Sequence, residues 1–276
     1  MEYQRLLGTK IGILSFYVAW GLARDLPDLA GIERVLQSGF TPMITWEPWA
    51  LMDVPEGGWA ENQPAFSLGT ILGGRYDEYI RNWALELNRL SAPVFLRPMH
   101  EMNGNWYPWC GTVNGNRPAN YVEAWRYLRS IFREAGNDKV IWVWSPYVHS
   151  VPDEPGNEIS NYFPGTGEVD WLGLDGYNWG KTRNWSSWQG FPEIFNTAYN
   201  LMTQLAPGKC FMIAEVGCAE QGGDKGRWIK DAAEALRTRF AQIKTVVWFN
   251  ADKECDWRIE SSVESLNSFA QHWTFR

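Results

Sequence analysis

Short, nearly continuous apolar runs alternate along this chain with longer stretches in which apolar residues recur every three to four positions. The runs cover residues 11–16, 42–46, 68–72, 93–97, 140–145, 169–175, 210–215 and 245–250. Strands buried on both faces of a parallel sheet have this appearance. The periodic stretches predict helices over 75–90, 121–135, 192–205, 226–240 and 261–273. In the first of these, Tyr79, Trp83, Leu87 and Leu90 share one face, and Asp77 and Glu78 stand in its first turn, where negative charge is favoured. A strand followed by a helix, repeated eight times, predicts an α/β fold, a single (β/α)8 TIM barrel. With no linker, repeat or low-complexity segment, residues 1–276 are expected to form one domain. The third run is the least strand-like, because Gly69, Gly73 and Gly74 interrupt it or follow it.

Charge and cysteine usage exclude several classes of function. The net charge is −7, and no basic stripe marks a nucleic-acid surface. No run of about 18 apolar residues predicts a membrane span. The first ten residues are polar enough that no secretory signal is visible. Four cysteines without a C-x-x-C spacing, and three widely separated histidines, make a metal site or redox pair unexpected. Aromatic content is the unusual feature, with 18 Trp, 11 Tyr and 13 Phe. Trp46, Trp49, Trp106, Trp109, Trp179, Trp185 and Trp188 fall within two residues of Pro, Gly, Asn or Glu, outside apolar periodicity. Flat apolar rings with a polar edge suit the C–H faces of sugars. Packing in a large core is the competing explanation for any one of them, and for Trp20 and Trp59 the two are equally weighted.

Barrel enzymes build their sites where strands end at the C-terminal face. There the fourth run leads into RPMHEMNGNWYPW (97–109), the sixth into DGYNW (175–179), the seventh into AEVG (214–217), and the second into WEPW (46–49). Glu101 and Glu215 therefore come from facing strands. Two carboxylates beside aromatic platforms suit glycosidic-bond hydrolysis, in which one acid must be protonated and the other ionised. Glu101, flanked by His100, Trp106 and Trp109, is assigned as acid/base, and Glu215 as nucleophile. Tyr177 is expected to hold Glu215 through its hydroxyl, Arg97 to keep a carboxylate ionised, and Trp248 to floor the subsite at the cleaved sugar. Trp179 and Asn103 are further candidate substrate contacts. Glu47 is a candidate contact or a loop cap. Asp175 is a candidate contact or a backbone anchor. A structural ion pair with Arg97 is the competing reading for either glutamate.

RPMHEMNGNWYPW, with ITWEPW, DGYNWG and AEVGCAEQGG, resembles glycoside hydrolase family 26 over nearly the whole chain. The resemblance implies a retaining double displacement without a cofactor, with Glu101 as acid/base and Glu215 as nucleophile. It also implies His100, Trp106, Tyr177 and Trp248 around the cleaved bond. The wording of several motifs is similar to the mixed-linkage β-1,3-1,4-glucanase (lichenase) branch, which makes lichenan or barley glucan the first expectation. An endo-β-1,4-mannanase acting on mannan or glucomannan is the alternative, and β-1,3-xylanase ranks third. Phe249 stands where some mannanases carry a charged residue. A carbohydrate-binding barrel without catalysis is the reading from another class. Expected partners are a neutral β-linked polysaccharide or oligosaccharide, with no nucleic acid and no membrane. A monomer is the simplest assembly, and a polymeric substrate suggests an extracellular setting. The carboxyl groups of a retaining pair should lie about 5–5.5 Å apart, at the mouth of an open groove.

Overall fold

A computed structural model of the chain describes residues 2–21, 26–50 and 62–273. Its β segments all pair in parallel within one curled sheet: β1 (Ile13–Ala19), β2 (Thr41–Glu47), β3 (Val94–Pro98), β4 (Val140–Trp144), β5 (Trp171–Leu172), β6 (Asp175–Asn178), β7 (Cys210–Cys218) and β8 (Ile243–Trp248). β5 and β6 lie end to end beside β7, the first against Cys210 and Phe211, the second against residues 215–218. Together they form one interrupted stave, so the described sheet has seven staves. β8 pairs with the other edge of β7. No ladder joins β1 to β8 among the described residues, and both strands are only half-buried, whereas β2 and β3 are buried almost throughout.

Alternation along the strands creates two packed layers. Met43, Phe95, Val143, Met212 and Ala214 meet inside the curl, with Ile13, Ile141, Trp171 and Val247 against them. Residues of the other parity, such as Ile44, Trp46, Leu96 and Trp144, face the helices. Those helices are α1 (Glu2–Leu7), α2 (Leu29–Gln37), α3 (Leu68–Leu72), α4 (Asp77–Leu87), α5 (Pro118–Glu134), α6 (Phe191–Leu205), α7 (Lys225–Thr238) and α8 (Val263–His272). Their apolar faces close the outer layer. Trp83 of α4, for example, packs 5.0 Å from Trp46, ring to ring.

The third predicted strand is instead α3. Ser67 caps it, its hydroxyl accepting from the Thr70 amide at 3.3 Å. Leu68 and Ile71, three positions apart, are its buried residues. Five residues are too few for periodicity to tell strand from helix, and the cap decides. α2, capped by the Asp28 carboxylate, was not anticipated. The other predicted strands and helices form within a few residues of their expected bounds, except the sixth strand, which is split.

Candidate active site

Two backbone irregularities aim the two glutamates. β3 ends at Pro98, and Met99 and Glu101 then take φ of 50° and 54°. That left-handed conformation costs a non-glycine residue about 1–3 kcal/mol and persists only where neighbours hold it. Here the Met99 amide donates to the Trp46 carbonyl at 3.1 Å, and the Glu101 amide to the Ser145 carbonyl at 2.8 Å. Trp109 Nε1 donates to the His100 carbonyl between them at 2.7 Å. On β7, the amides of Ala214 and Glu215 both donate to the Leu174 carbonyl, at 3.0 and 3.5 Å. The pairing with β8 shifts register between Ile213 and Val216. Two residues thus oppose one, a β-bulge. Simple alternation would send Glu215 to the face opposite Ala214; the bulge keeps both on the inner side.

The carboxylates then converge. One oxygen each of Glu101, Asp175 and Glu215 lies within 4.8 Å of the others. Arg97, fully buried, is the hub between the last two. Its Nη1 donates to both oxygens of Asp175 at 2.9 and 2.8 Å, and its Nη2 donates to Glu215 Oε1. Thr45 Oγ1 takes the remaining Arg97 donors at 3.0 and 2.7 Å. Tyr17 donates to Glu215 Oε1 at 2.6 Å, and Tyr177 donates to Oε2. Glu101 has a sparser shell, receiving Trp106 Nε1 on Oε2 at 2.7 Å.

These surroundings push the two acids apart. Burial raises the Glu215 carboxyl, but Arg97 and the two tyrosine hydroxyls outweigh it and bring it down to about 2. Burial raises Glu101 well above the ordinary carboxylate range, and the negative charge of Glu215 raises it further. The Trp106 hydrogen bond and then Arg97 oppose this. Nearby, burial and then Glu215 raise Glu47 to about 7, while burial and then Arg97 lower His100 to about 3. His100 Nε2 lies 4.0 Å from Glu47 and 3.9 Å from Glu215. At neutral pH this imidazole is an uncharged neighbour of both.

Glu101, Glu215, His100, Trp106, Tyr177 and Glu47 are therefore brought together, with Trp179 half-buried beside Tyr177 at 6.3 Å. Several expected sugar contacts stand elsewhere. Trp248 packs outward against Trp228, Phe269 and Trp273, because its position on β8 faces the helices. The next residue, Phe249, is the one that reaches the site, 6.0 Å from Tyr17 and 5.9 Å from Tyr177. Trp109 is fully buried and stacks on Tyr107 at 4.4 Å. Arg97 and Asp175 are sealed behind the glutamates, with Ser145 Oγ donating to Asp175 at 2.9 Å. Asn103 is buried and staples the loop after β4, accepting from the Tyr147 amide at 2.8 Å and donating to its carbonyl at 2.9 Å. Trp20 is a core residue beside Trp46, 4.7 Å away, and Trp59 lies outside the described residues. Sequence reasoning missed Tyr17, Thr45 and Trp257. Trp257 flanks both Tyr177 and Trp179, at 4.9 and 4.8 Å.

Residues 67–227, more than half of the chain, match the model of glycosyl hydrolase family 26. Endoglucanase H of Acetivibrio thermocellus is 34% identical over 98% of this chain and 28% of its own length. Mannan endo-1,4-beta-mannosidase A and B of Caldalkalibacillus mannanilyticus is 33% identical over 49% of this chain and 24% of its own length. The chain thus spans about a quarter of each of these curated relatives. Among solved structures, Bacillus subtilis mannanase man26 superposes with a TM-score of 0.67 at 20% identity, covering 98% of this chain and 79% of that one. That likeness concerns the fold, a curled sheet of parallel strands ringed by helices.

Proposed function

We propose that this chain, which belongs to glycosyl hydrolase family 26, hydrolyses internal β-linkages of a neutral polysaccharide with retention of configuration. The observation that carries the reading is the close approach of Glu101 and Glu215, within 4.8 Å oxygen to oxygen, with their proton affinities pushed in opposite directions. Such a separation leaves no room for a water between the Glu215 carboxylate and the anomeric carbon, so that carboxylate would attack directly, the arrangement of a double displacement.

In the first step a Glu215 carboxylate oxygen bonds to the anomeric carbon while the glycosidic C–O bond breaks. Glu101 gives its proton to the departing oxygen. In the second step Glu101, now a carboxylate, takes a proton from water, whose oxygen attacks the same carbon and releases Glu215. Arg97, Tyr17 and Tyr177 hold Glu215 ionised and oriented before attack, so little reorganisation is needed in the transition state. Trp106 orients Glu101. An open groove across the C-terminal ends of the strands would let a polymer pass without free ends.

For the substrate, mixed-linkage β-1,3-1,4-glucan is placed first. Identity to an endoglucanase runs along almost the whole chain, while the mannosidase aligns with half of it. Mannan is the second reading, favoured by that mannosidase. Glucose and mannose differ at one hydroxyl, so few contacts separate the two. Reducing-sugar release from barley glucan, lichenan, glucomannan and galactomannan decides. Release from the first two and none from galactomannan supports the glucan; the reverse assigns mannan. No release from any of them overturns both substrate readings; no release from β-1,3-xylan either overturns the hydrolase reading.

A further inference from the structure

The loop after β6 holds an indole in water that nothing in the fold requires. Trp185 is 68% exposed, far more than any other tryptophan among the described residues. Its surroundings are nevertheless tightly built. The Lys181 amide donates to the Gln221 carbonyl at 2.8 Å, Thr182 Oγ1 to the Trp179 carbonyl at 2.7 Å, and Ser186 Oγ to the Gly180 carbonyl at 2.8 Å. Trp188 pins the far side of the loop beneath Gly223, where any Cβ would fall 2.3 Å from its ring. Arg183 crosses to the loop after β8, its Nη2 donating to the Glu254 carbonyl at 2.9 Å, and its guanidinium lies 5.5 Å above the Trp179 ring.

Trp185 is also not isolated. It meets Trp179 at 5.4 Å, edge to face, and Trp179 meets Tyr177 at 6.3 Å. Tyr177 is hydrogen-bonded to Glu215. An aromatic strip therefore leads outward from the nucleophile and ends in the exposed indole. A ring held rigidly in solvent loses little freedom when a flat apolar face settles on it, which is the economy binding sites exploit.

We propose that Trp185, braced by Trp179 and Arg183, is a distal sugar-binding platform that stacks a pyranose ring of the polysaccharide beyond the cleaved linkage. The proposal rests on the reading of the site as a glycan cleft. It is tested by titrating mixed-linkage gluco-oligosaccharides of graded length, and manno-oligosaccharides in parallel, into the Glu101→Ala protein. The same titrations are made with Trp185→Ala or Trp185→Phe added. The expected result is a weakening of Kd that grows with oligosaccharide length and reaches about tenfold for the longest. Trp185→Phe should recover most of it, because a smaller aromatic face remains. Binding by the parent that Trp185→Ala leaves unchanged, or weakens equally at every length, overturns the platform while the glycanase reading stands. No binding of either series by the parent overturns both.

Discussion

Glu101 and Glu215 meet at one site in contrasting environments. The β7 acid stands in a crowd of donors: a guanidinium shared with Asp175 and the hydroxyls of Tyr17 and Tyr177. The acid beyond β3 has one indole N–H and is otherwise desolvated. Both are nearly buried, so burial alone would raise both. The difference lies in which one receives compensating donors. The backbones differ accordingly, a bulge on β7 and a left-handed turn after β3. The fold thus spends its positive charge on one acid and lets that acid's negative charge protonate the other.

The largest expected effects come from deleting either side of this pair. Glu101→Ala should lower kcat on polysaccharide by about 10²–10⁴, the range of general acid–base catalysis. Aryl glycosides with good leaving groups should recover much of that loss, since they need no proton. Glu215→Ala should lose more, with no recovery on those substrates. Equal recovery by both variants would break the assignment. Next come the donors. Tyr177→Phe removes a hydrogen bond to a charged group, worth about 1.5–3 kcal/mol, so kcat/KM should fall roughly ten- to a hundredfold. The acid limb of the pH profile should move upward, because Glu215 loses a group that lowers it. Smaller shifts sharpen the coupling. With Glu101 as the proposed acid, the first step needs it protonated, so activity should be present below its pKa and lost above it. Trp106→Phe removes a donor that favours the ionised form, and the basic limb should move up. Replacing Glu215 by Gln removes a charge that raises Glu101, and a carboxyl titration should find Glu101 lower.

The smallest effect is on stability. Glu47 binds its proton more tightly when folded, at about 7 against 4.5. Its contribution is complete below pH 4.5 and is lost as pH rises towards 7. Glu47→Gln should therefore flatten the decline of Tm across that window.

The positions of the two glutamates at strand ends were legible in the sequence, and the structure brings their carboxylates together. Sequence reasoning could not reach what depends on register. Trp248 and Phe249 are adjacent, and one position decides which of them faces the site. Tyr17 lies one residue past the predicted end of the first strand, which runs on to Ala19. The bulge that turns Glu215 inward leaves no mark in composition. Asp175 and Asn103 look like sugar contacts in a list of polar strand-end residues. Only the paired Arg97 and the Tyr147 backbone reveal them as internal supports. The helix over Leu68–Leu72 shows the same limit at the level of the fold, a short apolar run decided by its serine cap.

Glutamate carboxyl ¹³C shifts followed in the labelled chain from low to neutral pH report whether the two acids hold opposite protonation states. Glu215 should ionise near pH 2 while Glu101 keeps its proton well above 4.5. Two carboxyls that titrate together near 4.5, or a Glu101 that ionises first, would contradict this.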